Sequence, residues 1–314
     1  MEPYLIASLG AALVSLAFWH WLYCYVMEPD MSGDKWYMRR FAFTDEPVSA
    51  PYCWRPLLPW LARVFGFRAV TYAAMLTSVA VIYSWSGGGQ VGFAVALAFI
   101  GNRHMWNFHV KNPEYSDGLG ILLTASFLAA LASGHPWLAA LVGVAGGLTR
   151  ESVGLSLAVA GGVAYHPLLA LPPAAAVAAA YFLRRENLVN RHPCTEPGFY
   201  ATVKRWAGEK KERFLHYSHT IQSLRGIAFA VPFVWDRVGD QARLGLWGLL
   251  PILGLALPAS GQSRIFAYAW VFLVPFLAAC SEAWLWLLVL LQWSWPVEYY
   301  VYDETGGQNF GYAK

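Results

Sequence analysis

Carboxylates at Asp34, Glu114, Asp117 and Glu151, arginines at Arg55, Arg150 and Arg264, a tyrosine at Tyr37 and a histidine at His109 are residues whose types and spacing could do chemistry. A carboxylate within hydrogen-bond reach can take the proton of an attacking hydroxyl. An arginine offers a planar fork matched to phosphate oxygens, useful where negative charge develops on a leaving group. These side chains sit in polar islands, Glu28 to Arg68, Arg103 to Asp117, Thr149 to Ser152, Arg184 to Arg225 and Ser260 to Arg264, divided by long apolar runs. If each run crosses a bilayer, all five islands emerge on one face and leave the other nearly bare of charge. Polar groups gathered in this way in an apolar chain mark a working site.

The elements that must position them are helices. Of 314 residues 57% are hydrophobic and 13% charged, against roughly 25% charged in soluble domains, so the composition predicts an all-α, polytopic membrane protein. Candidate spans are Tyr4 to Met27, Ala69 to Ser86, Val91 to Phe108, Gly118 to Ser133, Trp137 to Leu148, Val153 to Tyr165, Leu168 to Leu183, Ile227 to Trp235, Leu244 to Leu257, Ile265 to Cys280 and Ala283 to Trp295. That is about 10–11 transmembrane or half-membrane helices in one domain, 1–314, with polar loops 28–68 and 184–225 on the site's face. The first run lacks a basic leader and a small-residue cleavage site, and reads as a retained helix. Two short runs flank Thr149-Arg150-Glu151-Ser152. Broken helices survive in a bilayer only where the freed backbone lines a cavity or is buried in protein, so this break points inward. Tight turns at Gly87 to Gln90, Gly134 to Pro136, His166-Pro167 and Ser281-Glu282 define the bare face.

Several classes fall away. The net charge of +3 is modest, and no helix-turn-helix, zinc or RNA-binding pattern accompanies the basic residues, which argues against a nucleic-acid partner. Cys24, Cys53, Cys194 and Cys280 show no CxxC spacing, although Cys53 and Cys194 could share a compartment. His104 and His109 are not at the i, i+4 spacing of a helical metal pair. Gly87 to Gly92 satisfies GxGxxG without a preceding strand, and reads as a tight turn. No GxSxG segment stands in a strand-turn-helix context.

The first large loop carries Asp34-Lys-Trp-Tyr37 and then Arg55-Pro-Leu-Leu-Pro59 leading into the second span; Asn112-Pro-Glu114-Tyr-Ser-Asp117, Leu148-Thr-Arg150-Glu151 and Gly261-Gln-Ser-Arg264 follow in order. In these motifs, across roughly residues 1 to 280, the chain resembles the GT-C class of integral-membrane glycosyltransferases. The resemblance implies inverting transfer of a monosaccharide from a polyprenyl-phosphate donor to an extracytoplasmic glycan, lipid or protein acceptor. Asp34 would then be the base, with Glu114 and Asp117 assisting or binding acceptor, and Arg55, Arg150 and Arg264 on the donor phosphate. Tyr37 would orient the base or the acceptor, and His109 would contact the acceptor. No tightly bound cofactor is required, although Asp34, Glu114 and Asp117 could converge as hard oxygen ligands for a divalent metal. Plainer roles exist for the same residues: Glu114 and Asp117 as helix-start acids, Arg150 and Glu151 as a mutual buried pair, and Arg264 as an interfacial flank. A transporter or lipid-binding protein with a midplane site at the Arg150 break is the rival reading. The resemblance puts the site outside the cytoplasm, at a cell inner or plasma membrane. The positive-inside rule would place Lys35, Arg39 and Arg40 inside.

Overall fold

The computed structural model describes residues 2–22, 33–44, 55–183, 224, 226–256, 268–294, 298–302 and 308–312. The described residues are all-α apart from one short hairpin, in which β1 (Glu298–Tyr302) pairs antiparallel with β2 (Gln308–Tyr312).

The ten helices of the first part run in order as α1 (Pro3–Trp21), α2 (Gly33–Phe43), α3 (Leu57–Phe65), α4 (Phe67–Trp85), α5 (Gly89–Gly101), α6 (Arg103–Lys111), α7 (Asp117–Ala132), α8 (Pro136–Thr149), α9 (Glu151–Ala164) and α10 (Leu171–Leu183). Their ends follow local chemistry. Pro3 and Pro136 open α1 and α8, where a missing N–H costs nothing and the fixed φ suits the first turn. The α4–α5 reversal is made by Gly87, Gly88 and Gly89, all at positive φ, a conformation that costs a side-chain-bearing residue.

Among the described residues only α1 and α4, 19 residues each, are long and apolar enough to cross a membrane; α5, α7, α8, α9 and the stretch Pro167–Phe182 are shorter apolar helices. The apolar run expected as one span from Val91 to Phe108 is two helices, because Asn102 breaks it and its side-chain oxygen accepts from the Met105 amide at 3.4 Å. The runs expected at Ile227 to Trp235 and Leu244 to Leu257 are built from one-turn 3-10 pieces alternating with the short helices Ala230–Val234, Asp240–Gly245 and Leu249–Ala256. Helix α11 (Glu282–Ser294) closes the described helical part. Expectations for loop 184–223 and for Cys53 and Cys194 lie outside the described residues.

Two packed clusters set the architecture. The larger joins α1, α4, α5, α7, α8 and α9 to residues 268–277 and α11, with Trp106, Trp270, Phe99, Phe127 and Tyr268 fully buried. The smaller fastens Met38 and Ala42 of α2 and Leu58 and Ala62 of α3 onto Phe67 and Ala74 of α4 and Leu119 of α7. It therefore seats α2 and α3 over the starts of α4 and α7. At the opposite end the tight turns meet: the Tyr83 hydroxyl donates to Glu2 (2.5 Å) and accepts from the Gly89 amide (2.9 Å), while Gln90 donates to Glu282.

Candidate functional site

Three of the five polar islands close into a ring of ion pairs, each pair linking two different islands. Arg39 of α2 donates from Nε (2.8 Å) and Nη2 (2.5 Å) to Glu114 Oε1. Arg55, just before α3, grips Glu151 bidentately, with Nε to Oε2 at 3.0 Å and Nη2 to Oε1 at 2.5 Å. Arg150 donates from Nη1 to Asp117 Oδ1, and Tyr268 donates its hydroxyl to the same oxygen. Arg150 Nη1 also reaches the Tyr268 hydroxyl at 3.2 Å.

Local structure explains the crossing. Arg150 is the single residue between α8 and α9, in extended conformation at φ −165°, ψ 141°. Glu151 already belongs to α9 while Arg150 stands outside both helices, so the two side chains leave the backbone in different local conformations. Arg150 and Glu151, which the sequence offers as a mutual pair, therefore take separate partners. The turn carrying Glu114 is pinned by Thr71, whose hydroxyl donates to the Pro113 carbonyl at 2.8 Å. Asp117 opens α7 after an N-cap Ser116 that makes no side-chain capping bond, and Glu151 opens α9, so both acids also suit the positive ends of helix dipoles. Gly120, one turn after Asp117, has no side chain to hold off its neighbours. A Cβ there would lie 2.9 Å from both the Tyr268 ring and Val153, so the glycine brings the phenol close enough to reach Asp117.

Burial makes the ring consequential. Glu114 is 2% exposed and Asp117 0%, and a charge taken out of water is tolerated only when paired and hydrogen-bonded. The formal charges balance: Arg39, Arg55 and Arg150 face Glu114, Asp117 and Glu151. Among the described residues, polar atoms of the ring are left over on both the acidic and the basic side. Both Arg39 donors go to Oε1 of Glu114, leaving its buried Oε2 without a hydrogen-bond partner, and the buried Nε of Arg150 likewise has none. Glu114 thus offers a spare acceptor and Arg150 a spare cationic donor.

Of the residues the sequence singles out, Glu114, Asp117, Arg55, Arg150 and Glu151 come together. His109 is buried beside them, its ring 3.8 Å from where a Gly118 Cβ would stand. Asp34 and Tyr37 fall within α2, with side chains outside the described residues, and Arg264 also lies outside them. Arg39 and Tyr268 are the additions. Arg39 was visible only as one of several basic residues in a polar loop, and Tyr268 as the hydroxyl-bearing aromatic four residues after Arg264. Among the described residues no three His, Cys, Asp or Glu side chains cluster as metal ligands; Glu114 and Asp117 each already hold an arginine.

The chain matches no protein-family model, no curated protein and no solved structure.

Proposed function

We propose that this chain is a polytopic membrane glycosyltransferase that moves a monosaccharide from a polyprenyl-phosphate donor to an acceptor outside the cytoplasm, inverting the anomeric centre. The observation that carries the reading is the ring itself: arginines and carboxylates from islands up to 96 residues apart converge at one end of the helices, with a spare acceptor on Glu114 and a spare donor on Arg150. A lipid phosphate supplies oxygens for the donor, and an acceptor hydroxyl supplies a proton for a carboxylate.

The chemistry is a direct displacement. The acceptor oxygen forms its bond to the anomeric carbon as the bond to phosphate breaks, the electron pair leaves on the phosphate oxygen, and the acceptor proton passes to a carboxylate. Asp34, in α2 with Arg39, is the proposed base, and Glu114 the acid that binds or assists through its spare oxygen. Arg55, Arg150 and Arg264 are assigned to the departing phosphate. Because Arg55 and Arg150 each hold a carboxylate in the structure, phosphate binding requires it to share or displace Glu151 and Asp117. No tightly bound cofactor enters this scheme; a divalent metal on Asp34, Glu114 and Asp117 would replace guanidinium partners.

Depth fits a lipid-borne substrate. Helices α8 and α9 have 14 residues each, about 21 Å at ~1.5 Å per residue, against a hydrocarbon core of ~30 Å. A ring at their joined ends would lie below the headgroups, where a lipid phosphate can approach from the side. A transporter would instead carry its ionisable groups near the midplane, between similar halves.

Purified protein in detergent is expected to transfer sugar from a polyprenyl-phosphate donor and not from a nucleotide sugar. Asp34→Asn should lower turnover by ~10²–10⁴-fold while donor binding survives. Efficient transfer from a nucleotide sugar with no lipid carrier present overturns the reading. Unimpaired turnover in both Asp34→Asn and Glu114→Gln overturns the assigned chemistry.

A further inference from the structure

Helix α3 carries apolar residues on both faces. Leu58 and Ala62, one turn apart, are 0% and 1% exposed against α2, α4 and α7, whereas Trp60, Val64 and Phe65 are 50%, 73% and 65% exposed. A short surface helix bathed in water would turn polar residues outward. With nine residues, about 14 Å long, α3 cannot cross a bilayer. It joins α4, a helix of spanning length, through the single residue Gly66 at φ +81°. The outer surface of α1, the other helix of spanning length, is apolar as well: Leu13, Val14, Phe18 and Trp21 are exposed along it. The end of α1 reaches the same level, since His20 and the Tyr72 hydroxyl lie 2.9 Å apart. The apolar exterior of the spanning helices thus continues onto α3.

Charge indicates which lipid covers it. Residues 55–68 contain three arginines and no acidic residue. Arg55 is engaged by Glu151; Arg63 and Arg68 lie exposed on either side of Val64 and Phe65, Arg63 donating from Nε to the Ala42 carbonyl at 2.9 Å. Exposed aromatic and aliphatic side chains bordered by arginines suit the boundary between acyl chains and anionic headgroups.

We infer that α3 lies in the membrane interface with Trp60, Val64 and Phe65 in the acyl boundary, where Arg68 selects anionic phospholipid. Since Arg55 sits at the start of this helix and holds Glu151, the lipid surface seats one corner of the ion-pair ring. This placement rests on the chain being in a membrane and not on sugar transfer.

The test uses the full chain in nanodiscs, with Cys24, Cys53, Cys194 and Cys280 replaced by serine and a bimane label on Trp60→Cys or, separately, Val64→Cys. Brominated phospholipid should quench both labels, and aqueous iodide should quench them several-fold less than free dye. In equal mixtures, brominated anionic lipid should quench more than brominated zwitterionic lipid. Arg68→Gln should lower that preference about fivefold, as expected from ~1 kcal/mol per basic residue at an anionic surface. Strong iodide quenching without lipid quenching places the face in water and overturns the inference. Quenching by neither agent means protein covers it, whether a second copy or another segment of this chain, and overturns it equally. Identical quenching by the two lipids removes the anionic selection. Lipid quenching in a protein that transfers no sugar leaves this placement intact and sinks only the enzymatic reading.

Discussion

At Asp117 a fully buried carboxylate accepts from both Arg150 and Tyr268. Removing one member of such a pair leaves an uncompensated charge in a dry site, a loss of about 3–5 kcal/mol. Asp117→Asn and Arg150→Gln are each expected to lower the thermal midpoint sharply in detergent, and the double variant should lose clearly less than the sum. Additive losses in that thermal cycle would show that the two side chains are not coupled. The charged members of the ring were legible in the sequence because ionisable residues are rare in so apolar a chain. Their pairing was not. Adjacency suggested an Arg150–Glu151 pair, yet an extended backbone at one residue sends the two side chains to Asp117 and Arg55. Tyr268 is one of 17 tyrosines, and nothing local reveals that Gly120 opens the space for its ring.

Among elements, the α8–α9 hairpin sets where Arg150 stands, and glycine sets how closely its helices pack. A Cβ on Gly154 would lie 2.5 Å from Val177 Cγ2 and 2.6 Å from Gly147 Cα, while one on Gly147 would lie 2.6 Å from the Pro173 carbonyl. Backbone cannot yield as a flexible side chain can, so Gly154→Val should cost at least the ~1–3 kcal/mol typical of overpacking. Gly10→Ala on α1, where nothing stands within 4 Å, should be neutral or stabilising by up to about 1 kcal/mol. Thermal unfolding of both variants in one detergent checks the contrast, and equal midpoints would refute the packing argument. Helix limits were legible where an apolar run met a clear stop: Gly118 to Ser133 became Asp117–Ala132, and Trp137 to Leu148 became Pro136–Thr149. Helix α3 was hidden because Pro56, Pro59 and the charges around it made 28–68 read as loop. The break at Asn102 was hidden because apolar residues continue on both sides.

For the whole molecule, the resemblance and the positive-inside rule give opposite orientations. With the ring outside the cytoplasm, Ser32→Cys and Ser263→Cys should react with a membrane-impermeant reagent in intact cells, and His135→Cys, in the turn between α7 and α8, should react only after lysis. The reverse pattern would invert the molecule. The crossed pairing carries a further consequence for how this chain is made. Arg39 precedes Glu114 by 75 residues, Arg55 precedes Glu151 by 96, and Asp117 precedes Tyr268 by 151. At ~5–20 residues per second of synthesis, Arg55 waits on the order of 5–20 s before its partner exists. Throughout that interval the nascent chain displays lone charges that only a later hairpin can neutralise. The ring is therefore a record of completed folding: it closes in a chain whose α8–α9 hairpin has reached its place, and it stays open in one that has stalled.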